Sequence, residues 1–436
     1  MESNFFSFLN IKSLFFENKT LKQTILKNTF WLAVAEVVDR GLGFLVIIWI
    51  ARHYGPASYG QWSFALNFAA SFVVFADLGF AILTVREVAR DKSKARDYID
   101  NIFAMKLVLG LITFGIIALS IHFFGKEGEV VKLVYFLGIY YIINTFAIFF
   151  RSIFQANEKM QYEALCRSIQ SASELILVAV FILNKASIVT TSYAYSIGSL
   201  VGILFSLVFI WNFFSKFFYK IDLNICKEIL KESWPIALSG FIGTIYASFG
   251  VIFLSLLKTD KDVGWYSVGY SLIAATMVLP NLFMASLYPK LSNLYAESEE
   301  LFRKILKRSF KYVFILGLIV IPLIFIFSKK IILLLYGINY INSIAVFRIL
   351  LIMAFIDYMG CLLVNTIYAI KKQAFYTKLL ACGLIFNIIL CFMLIPKYSY
   401  TGLSIAMLVT DCFLTLSAFL YIKKTIFDKN IDEIKK

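Results

Sequence analysis

About twelve apolar segments of about 20–27 residues each, separated by short polar connectors, make up almost the whole of this 436-residue chain. A helix needs about 20 apolar residues to cross the hydrocarbon core of a bilayer, so each segment has the length of a membrane span. Hydrophobic residues form 60% of the sequence, and the segments are continuously apolar rather than alternating, which excludes a transmembrane β-barrel. The predicted spans are 28–52, 60–84, 101–124, 130–151, 164–184, 188–215, 233–257, 264–288, 310–335, 344–370, 374–395 and 400–421.

The formal net charge of +15 is unevenly distributed. Most of the 42 Lys and Arg residues lie at the termini and in alternate connectors. The positive-inside rule therefore predicts that both termini are cytoplasmic, and the same distribution argues against nucleic-acid binding. Residues 1–27 interleave Phe with Lys and are predicted to form an amphipathic segment on the cytoplasmic surface, while 422–436 form a basic cytoplasmic tail.

The chain divides into two halves of similar pattern, 28–215 and 233–421, joined by a lysine-rich cytoplasmic connector at 216–232. A shift of 204 residues aligns them. The aligned pairs include Gly60 with Gly264, Ser63 with Ser267, and Asp77 with Asn281. We therefore predict an all-α polytopic membrane protein of two six-helix lobes related by a pseudo-two-fold axis, a design that allows alternating access.

Three charged residues, Glu36, Asp39 and Arg40, lie near the middle of the first span. A charge at that depth costs roughly 2.5–3.5 kcal/mol, so such residues normally face a cavity or a partner. All three share one helix face, and with Asp77 they form a predicted charged seam. The aligned positions of the second half are the uncharged Gly240, Gly243 and Thr244.

An ordered set of short motifs occupies the stretch from Arg40 to Arg90. The motifs are Arg40-Gly-Leu-Gly43, Ala51-Arg52, Tyr54-Gly55-Pro56, Tyr59-Gly60, Ser63-Phe64, Asp77-Leu78-Gly79, Arg86-Glu87 and Ala89-Arg90. Their order and spacing resemble the N-terminal signature of bacterial polysaccharide (O-antigen, Wzx-type) flippases of the multidrug/oligosaccharidyl-lipid/polysaccharide exporter superfamily.

The resemblance implies a MATE-like transporter, not an enzyme, in the bacterial cytoplasmic (inner) membrane. The implied substrate is an undecaprenyl-diphosphate-linked oligosaccharide repeat unit, moved from the inner to the outer leaflet for surface polysaccharide biosynthesis. A polysaccharide polymerase and a chain-length regulator are candidate partners beside the lipid bilayer itself.

Arginine residues are the candidates for contact with the diphosphate, because a guanidinium binds phosphate bidentately. These candidates are Arg40, Arg151 and Arg348. Arg40 could equally neutralise its acidic neighbours, and the other two could extend to the membrane interface, as we expect for Lys106. Arg86 and Arg90 form a basic cytoplasmic approach for the headgroup.

Three acidic residues in later spans are candidates for ion coupling, since carboxylates within membranes commonly form proton or ion pathways. They are Glu174, Asp357 and Asp411; interhelical hydrogen bonding is their alternative role. With two His and six Cys lacking a C-x-x-C pattern, we expect no metal site, and no cofactor is predicted. Tyr140, Tyr141, Tyr246 and Tyr270 are candidates for stacking on sugar rings.

Two other functions compete with export of a lipid-linked glycan. A proton- or sodium-coupled multidrug antiporter of the same superfamily would share the architecture. A membrane-embedded polysaccharide polymerase or ligase normally needs a sizeable outer loop, and the outer connectors here are short. The Asp260-Lys-Asp262 pair is predicted to be a solvated turn rather than a metal site.

Overall fold

Every secondary-structure element in the computed structural model of the chain, which describes residues 21–213 and 221–428, is helical. The α-helices are α1 (Leu21–Asp77), α2 (Phe80–Arg90), α3 (Ala95–Phe123), α4 (Glu129–Ala156), α5 (Met160–Leu183), α6 (Ile188–Phe213), α7 (Leu223–Leu257), α8 (Asp260–Thr276), α9 (Val278–Glu297), α10 (Glu299–Leu335), α11 (Ser343–Ala369) and α12 (Gln373–Ile422). The described residues hold 10 helical stretches long and apolar enough to cross a membrane. The predicted all-α polytopic fold is confirmed.

Two of the helices are much longer than one membrane crossing and are broken by a non-helical residue. Helix α1 has 57 residues and is interrupted at Gly55 (φ 78°), which is followed by Pro56. Helix α12 has 50 residues and is interrupted at Ser399 (φ 51°). A continuous helix of that length would extend about 75–85 Å, against about 30 Å of hydrocarbon. Dividing both helices gives two segments of spanning length each, although the count of twelve spans stays a prediction.

The described residues fall into two compact units. Unit 1 lies within Met1–Ile50 and Phe68–Phe241, and unit 2 lies within Ala51–Asn67 and Ile242–Lys436. The structure thus groups the start of the second span with unit 2, whereas the sequence pattern assigned all of 28–215 to the first lobe. The predicted domain boundaries stay predictions.

Parts of four predicted segments lie outside the described residues. They are 1–20 of the amphipathic segment, 214–215 of the N-terminal lobe, 216–220 of the connector and 429–436 of the basic tail.

Each unit is organised around its own buried apolar cluster. In unit 1, α6 packs against α4 and α5, and the cluster includes Phe80, Phe149 and Phe154. In unit 2, α11 packs against α8 and α12. The cluster there includes Phe302 and Leu362. Both clusters are built from aromatic and aliphatic side chains. The two units therefore differ mainly in the polar residues of their helices.

A close helix crossing within unit 2 relates two segments that the sequence aligned. Ser63 and Ser267, which are 204 residues apart, share a hydrogen bond of 2.6 Å. A side chain at Gly60 would overlap the carbonyl oxygen of Asp260, and one at Gly264 would overlap that of Pro56. Pro56 and Asp260 are themselves aligned by the shift of 204 residues, so each segment makes the same contact with the other. Small residues at this crossing let the two backbones approach closely.

A second pair of equivalent turns joins α4 to α5 and α11 to α12. Glu158 and Lys371 both have φ 57° in these turns. The following residues make matching backbone hydrogen bonds, Lys159 N to Phe154 O at 2.9 Å and Lys372 N to Ile367 O at 3.0 Å. The two helical hairpins are therefore equivalent at a shift of 213 residues.

We predict that Gly60→Ala lowers the apparent melting temperature of the purified full-length protein in detergent, measured by intrinsic fluorescence. The added methyl group meets a backbone carbonyl that cannot yield, so we expect a loss of about 1–3 kcal/mol. The matched control is Gly43→Ala, because a side chain there would have nothing within 4 Å. Equal melting temperatures for the two variants would contradict the crossing.

Candidate functional site

The charged residues of the first span form an ion-pair cluster in unit 1, and its centre is Arg167 of α5. The Arg167 guanidinium donates from Nη2 to Glu36 Oε2 at 2.8 Å and to Asp39 Oδ2 at 2.7 Å. Its Nε donates to the same Asp39 oxygen at 2.9 Å. Arg40 pairs with Glu36 one helical turn away, and Ser171 donates its hydroxyl to Asp39. Glu36 and Asp39 therefore both form ion pairs with Arg167, a residue that the sequence analysis did not select.

Arg167 belongs to a polar stripe along α5, which is otherwise largely apolar. The stripe consists of Glu163, Arg167, Gln170 and Glu174. The spacing of four, three and four residues places them on one helix face. Only Glu174 was predicted as a site residue, and testing the polar residues for helical periodicity would have found the other three.

The facing stripe on α4 completes a cavity with a volume of about 340 Å³. The cavity lies entirely within unit 1. It is lined by Asp39, Tyr140, Asn144, Ile148, Arg151, Gln155, Glu163, Arg167, Gln170 and Glu174. Two arginines, three carboxylates and three amides thus face a common space between membrane-spanning helices.

Gln170 connects the polar groups across this cavity. Its Oε1 accepts a hydrogen bond of 2.5 Å from Arg151 Nη1. Its Nε2 donates to Asn144 Oδ1 at 3.0 Å, to Glu174 Oε1 at 3.0 Å and to Ser199 Oγ at 3.1 Å. Glu174 is therefore hydrogen bonded in the same cavity that holds the arginines.

Arg40, Arg151 and Arg167 differ in their counter-ions. Arg40 pairs with Glu36, and Arg167 pairs with both Glu36 and Asp39. Arg151 is only 8% exposed, and among residues 21–213 and 221–428 it makes no ion pair within 4 Å. Its direct hydrogen-bond partner is the neutral Gln170, and Glu163 and Asp39 are the acidic residues that attract its charge.

The other two acidic candidates, Asp357 and Asp411, line a second cavity of about 340 Å³ within unit 2. Tyr246 donates its hydroxyl to Asp411 Oδ1 at 2.5 Å. Asn281 lies in the same lining, with Cys361 Sγ 3.4 Å from its Oδ1. The three candidate ion-coupling residues are thus divided between two cavities.

The two cavities occupy equivalent positions in the two units. The shift of 213 residues pairs four lining positions, Asn144 with Asp357, Ile148 with Cys361, Arg151 with Val364, and Glu163 with Tyr376. The first cavity therefore has an arginine where the second has an aliphatic residue. The second has a carboxylate where the first has an amide. Both linings hold more carboxylates than basic residues, and the first differs from the second in also containing two arginines.

Asp77 does not join the charged seam and instead forms a separate ion pair. Lys106 Nζ donates to Asp77 Oδ1 at 2.5 Å, and the Lys106 side chain is completely buried. The rings of Phe80, Phe146 and Phe149 surround the ammonium at 5.9, 5.7 and 6.0 Å. The prediction that Lys106 extends to the interface is wrong. A buried ammonium requires a counter-ion, and Asp77 provides one where the helix breaks at Leu78 (φ 46°).

The remaining predicted arginines lie apart from the first cavity. Arg86 pairs with Glu87 and Glu232 at 2.7 Å each, and Arg90 lies 3.8 Å from Glu87. Arg348 belongs to unit 2, where its Nε donates to Ser328 at 3.0 Å and its guanidinium lies 5.3 Å from the Phe325 ring.

Of the aromatic candidates, Tyr140 lines the unit 1 cavity and packs on Tyr141 and Tyr195. In unit 2, Tyr270 stacks on Tyr266. Asp262, predicted to be in a solvated turn, forms a capping box with Thr259 at the start of α8, and Asp260 accepts a hydrogen bond of 2.8 Å from Gln61.

Comparison with solved structures shows the fold. The chain is similar to a multidrug resistance MATE family transporter of the MOP superfamily solved in an inward-facing conformation. The TM-score is 0.74 at 18% identity, with 91% of this chain and 97% of the other covered. At this identity the similarity establishes a MATE-like helical fold.

Comparison with known sequences shows the family. A Staphylococcus aureus protein, capsular polysaccharide biosynthesis protein CapF, is 26% identical over 92% of this chain and 100% of its own length. A protein of Escherichia coli (strain K12) described as a candidate O-antigen transporter is 20% identical over 93% of this chain and 98% of its own. The polysaccharide biosynthesis protein family matches residues 25–295, more than half of the sequence. The chain is thus a membrane transporter of MATE-like fold that belongs to the polysaccharide biosynthesis protein family.

Proposed function

We propose that this transporter is a flippase for undecaprenyl-diphosphate-linked oligosaccharide repeat units, which it moves from the inner to the outer leaflet by alternating access. The observation that carries the proposal is Arg151, a buried arginine in a cavity between membrane helices that hydrogen bonds to the neutral Gln170 and makes no ion pair within 4 Å among the described residues. The names of the relatives, a capsular polysaccharide biosynthesis protein and a candidate O-antigen transporter, support the same substrate class.

A diphosphate fits Arg151 on physical grounds. The Arg151 guanidinium is buried, and the carboxylates that attract it, Glu163 and Asp39, do so without direct ion pairing, so an anionic ligand in direct contact would stabilise it further. The guanidinium presents a planar set of donors that matches two phosphate oxygens, and hydrogen bonds between charged groups contribute about 1.5–3 kcal/mol each. The sugar attached to the diphosphate would occupy the rest of the polar cavity while the lipid tail stays in the bilayer.

Arg167 adds a second contact that the substrate must compete for. Glu36 and Asp39 already bind its guanidinium. Because two arginines and three carboxylates line the cavity, the anion is held by local hydrogen bonds rather than by a net positive field. A phosphate that replaces Asp39 on Arg167 would leave that carboxylate free to bind a proton or sodium ion, which links substrate binding to ion binding.

We propose that Arg86 and Arg90 lie on the cytoplasmic side and attract the headgroup before it enters. Glu87 and Glu232 neutralise part of their charge, so this attraction is modest and depends on salt.

Ion coupling is proposed to use the acidic residues of both cavities. Glu174 lies beside the arginines in unit 1, and Asp357 and Asp411 line the equivalent cavity of unit 2. An anion-binding cavity and a cation-binding cavity at equivalent positions suit a transporter that exchanges an anionic substrate against protons or sodium ions.

The acidic cavity of unit 2 also supports a second candidate, export of organic cations as in the multidrug branch of the superfamily. Efflux of a cationic dye from cells that express the chain would favour this alternative. Surface polysaccharide restored without dye efflux would favour the flippase.

We predict that Arg151→Ala, in a strain that lacks the chromosomal gene, reduces surface polysaccharide at least tenfold and accumulates lipid-linked repeat units on the cytoplasmic leaflet. The loss of one set of charge-assisted hydrogen bonds to phosphate, about 1.5–3 kcal/mol, accounts for that size. Arg151→Lys should partly restore export. Arg40→Ala should have a smaller effect, because Arg40 is already paired with Glu36.

The control for this experiment is Arg308→Ala, which removes an exposed arginine of α10. Equal losses at positions 151 and 308 would contradict the role of Arg151. Normal surface polysaccharide in the deletion strain, with no second transporter present, would contradict the proposed function itself.

We predict that a proton or sodium gradient accelerates transport of extracted lipid-linked repeat units in vesicles containing the purified protein. Asp357→Asn and Asp411→Asn should remove the acceleration and keep the gradient-independent rate, because they remove the charge that binds the ion. Asp97→Asn, at an exposed position of α3, is the matched control. Transport that ignores both gradients would rule out coupling.

A further inference from the structure

Glu163 carries an unsatisfied hydrogen-bond acceptor in the unit 1 cavity. The residue is 3% exposed, lies in the first turn of α5 and contributes to the cavity lining. Its Oε2 atom is buried and has no hydrogen-bond partner among the residues that the structure describes. Leaving a buried acceptor of this kind unpaired is unfavourable, and native structures seldom retain one without a reason.

The surroundings of Glu163 identify the kind of group that would satisfy it. Arg151, Arg167 and Asp39 are the charged groups that face it, and Gln155 lies beside it. A carboxylate accepts hydrogen bonds and donates none, so the missing partner must be a donor. Rotation about the terminal bond of a glutamate side chain is broad, so either oxygen can turn toward the cavity.

A donor that arrives next to a phosphate on Arg151 is most simply a hydroxyl of the sugar that bears the phosphate. Glu163 and Arg151 line the same cavity and are close enough to attract each other, so a ligand held by the guanidinium would have its neighbouring ring hydroxyls near the carboxylate. The cavity volume of about 340 Å³ is in the range of small-ligand sites and can hold a monosaccharide phosphate.

We propose that Glu163 is a specificity-determining residue that accepts a hydrogen bond from the sugar directly attached to the diphosphate. The inference rests on the proposed function and deepens it, because it assigns the recognition of the first sugar to one side chain. A site that hydrogen bonds a hydroxyl discriminates strongly against ligands without one, since its own polar group is then left unpaired.

The test measures binding of three probes to the full-length protein in lipid nanodiscs by isothermal titration calorimetry. The probes are inorganic phosphate, α-D-glucose 1-phosphate and N-acetyl-α-D-glucosamine 1-phosphate. For the unmodified chain we expect the tighter-binding of the two sugar phosphates to have a Kd about tenfold lower than that of inorganic phosphate. One additional charge-assisted hydrogen bond accounts for a difference of this size.

Glu163→Ala should raise the Kd of that sugar phosphate about tenfold. The Kd of inorganic phosphate should stay the same or fall, because a neighbouring negative charge has been removed. Glu163→Gln keeps the shape of the side chain and replaces the alanine variant in the experiment if that variant does not fold. It should reduce the preference for the sugar phosphate over inorganic phosphate to a smaller extent. Glu297→Ala, at an exposed position of unit 2, should change neither constant.

Two outcomes overturn the inference, and they differ from failure of the proposed function. Equal weakening of sugar phosphate and phosphate in Glu163→Ala would mean that Glu163 only supports the cavity. Equal affinities of the unmodified chain for all three probes would mean that no sugar is recognised there. Phosphate binding that persists in Arg151→Ala would instead contradict the anion site on which the proposed function depends.

Discussion

The ion pairs between Arg167 and the two carboxylates of the first span are the interaction on which the rest of unit 1 depends. Glu36 and Asp39 lie in an apolar helix, where an unpaired charge is costly, and Arg167 provides three hydrogen bonds to them. These bonds join α1 to α5. They also fix the polar stripe of α5 toward α4, where Arg151 and Gln170 complete the cavity.

The two cavities show how a duplicated scaffold can acquire two chemistries. The hairpins α4–α5 and α11–α12 have the same turn geometry, and their cavities share four equivalent lining positions. The exchange of Arg151 for Val364 and of Asn144 for Asp357 changes the charge without changing the helices around it.

Polar residues within the spans differ in what they contribute. Asp77, which is partly exposed, pairs with a buried Lys106 whose ammonium is surrounded by aromatic rings, and neither residue lines either cavity. Arg151 and Glu163 face a cavity, and among the described residues Glu163 Oε2 has no hydrogen-bond partner. The first arrangement pairs its charges within the protein, whereas we propose that a ligand completes the second.

The sequence by itself determined the helical membrane fold, because span length and continuous hydrophobicity leave few alternatives in a bilayer. It also determined the family, through the ordered motifs between Arg40 and Arg90, and it identified Glu36 and Asp39 as residues that require a partner. It did not identify that partner, since Arg167 is 128 residues from Asp39 along the chain. Only the tertiary structure decided that Arg167 rather than Arg40 binds both carboxylates and that Lys106 is buried. The physical reason is that helix periodicity defines which residues share a face, while the packing of one helix on another defines which faces meet.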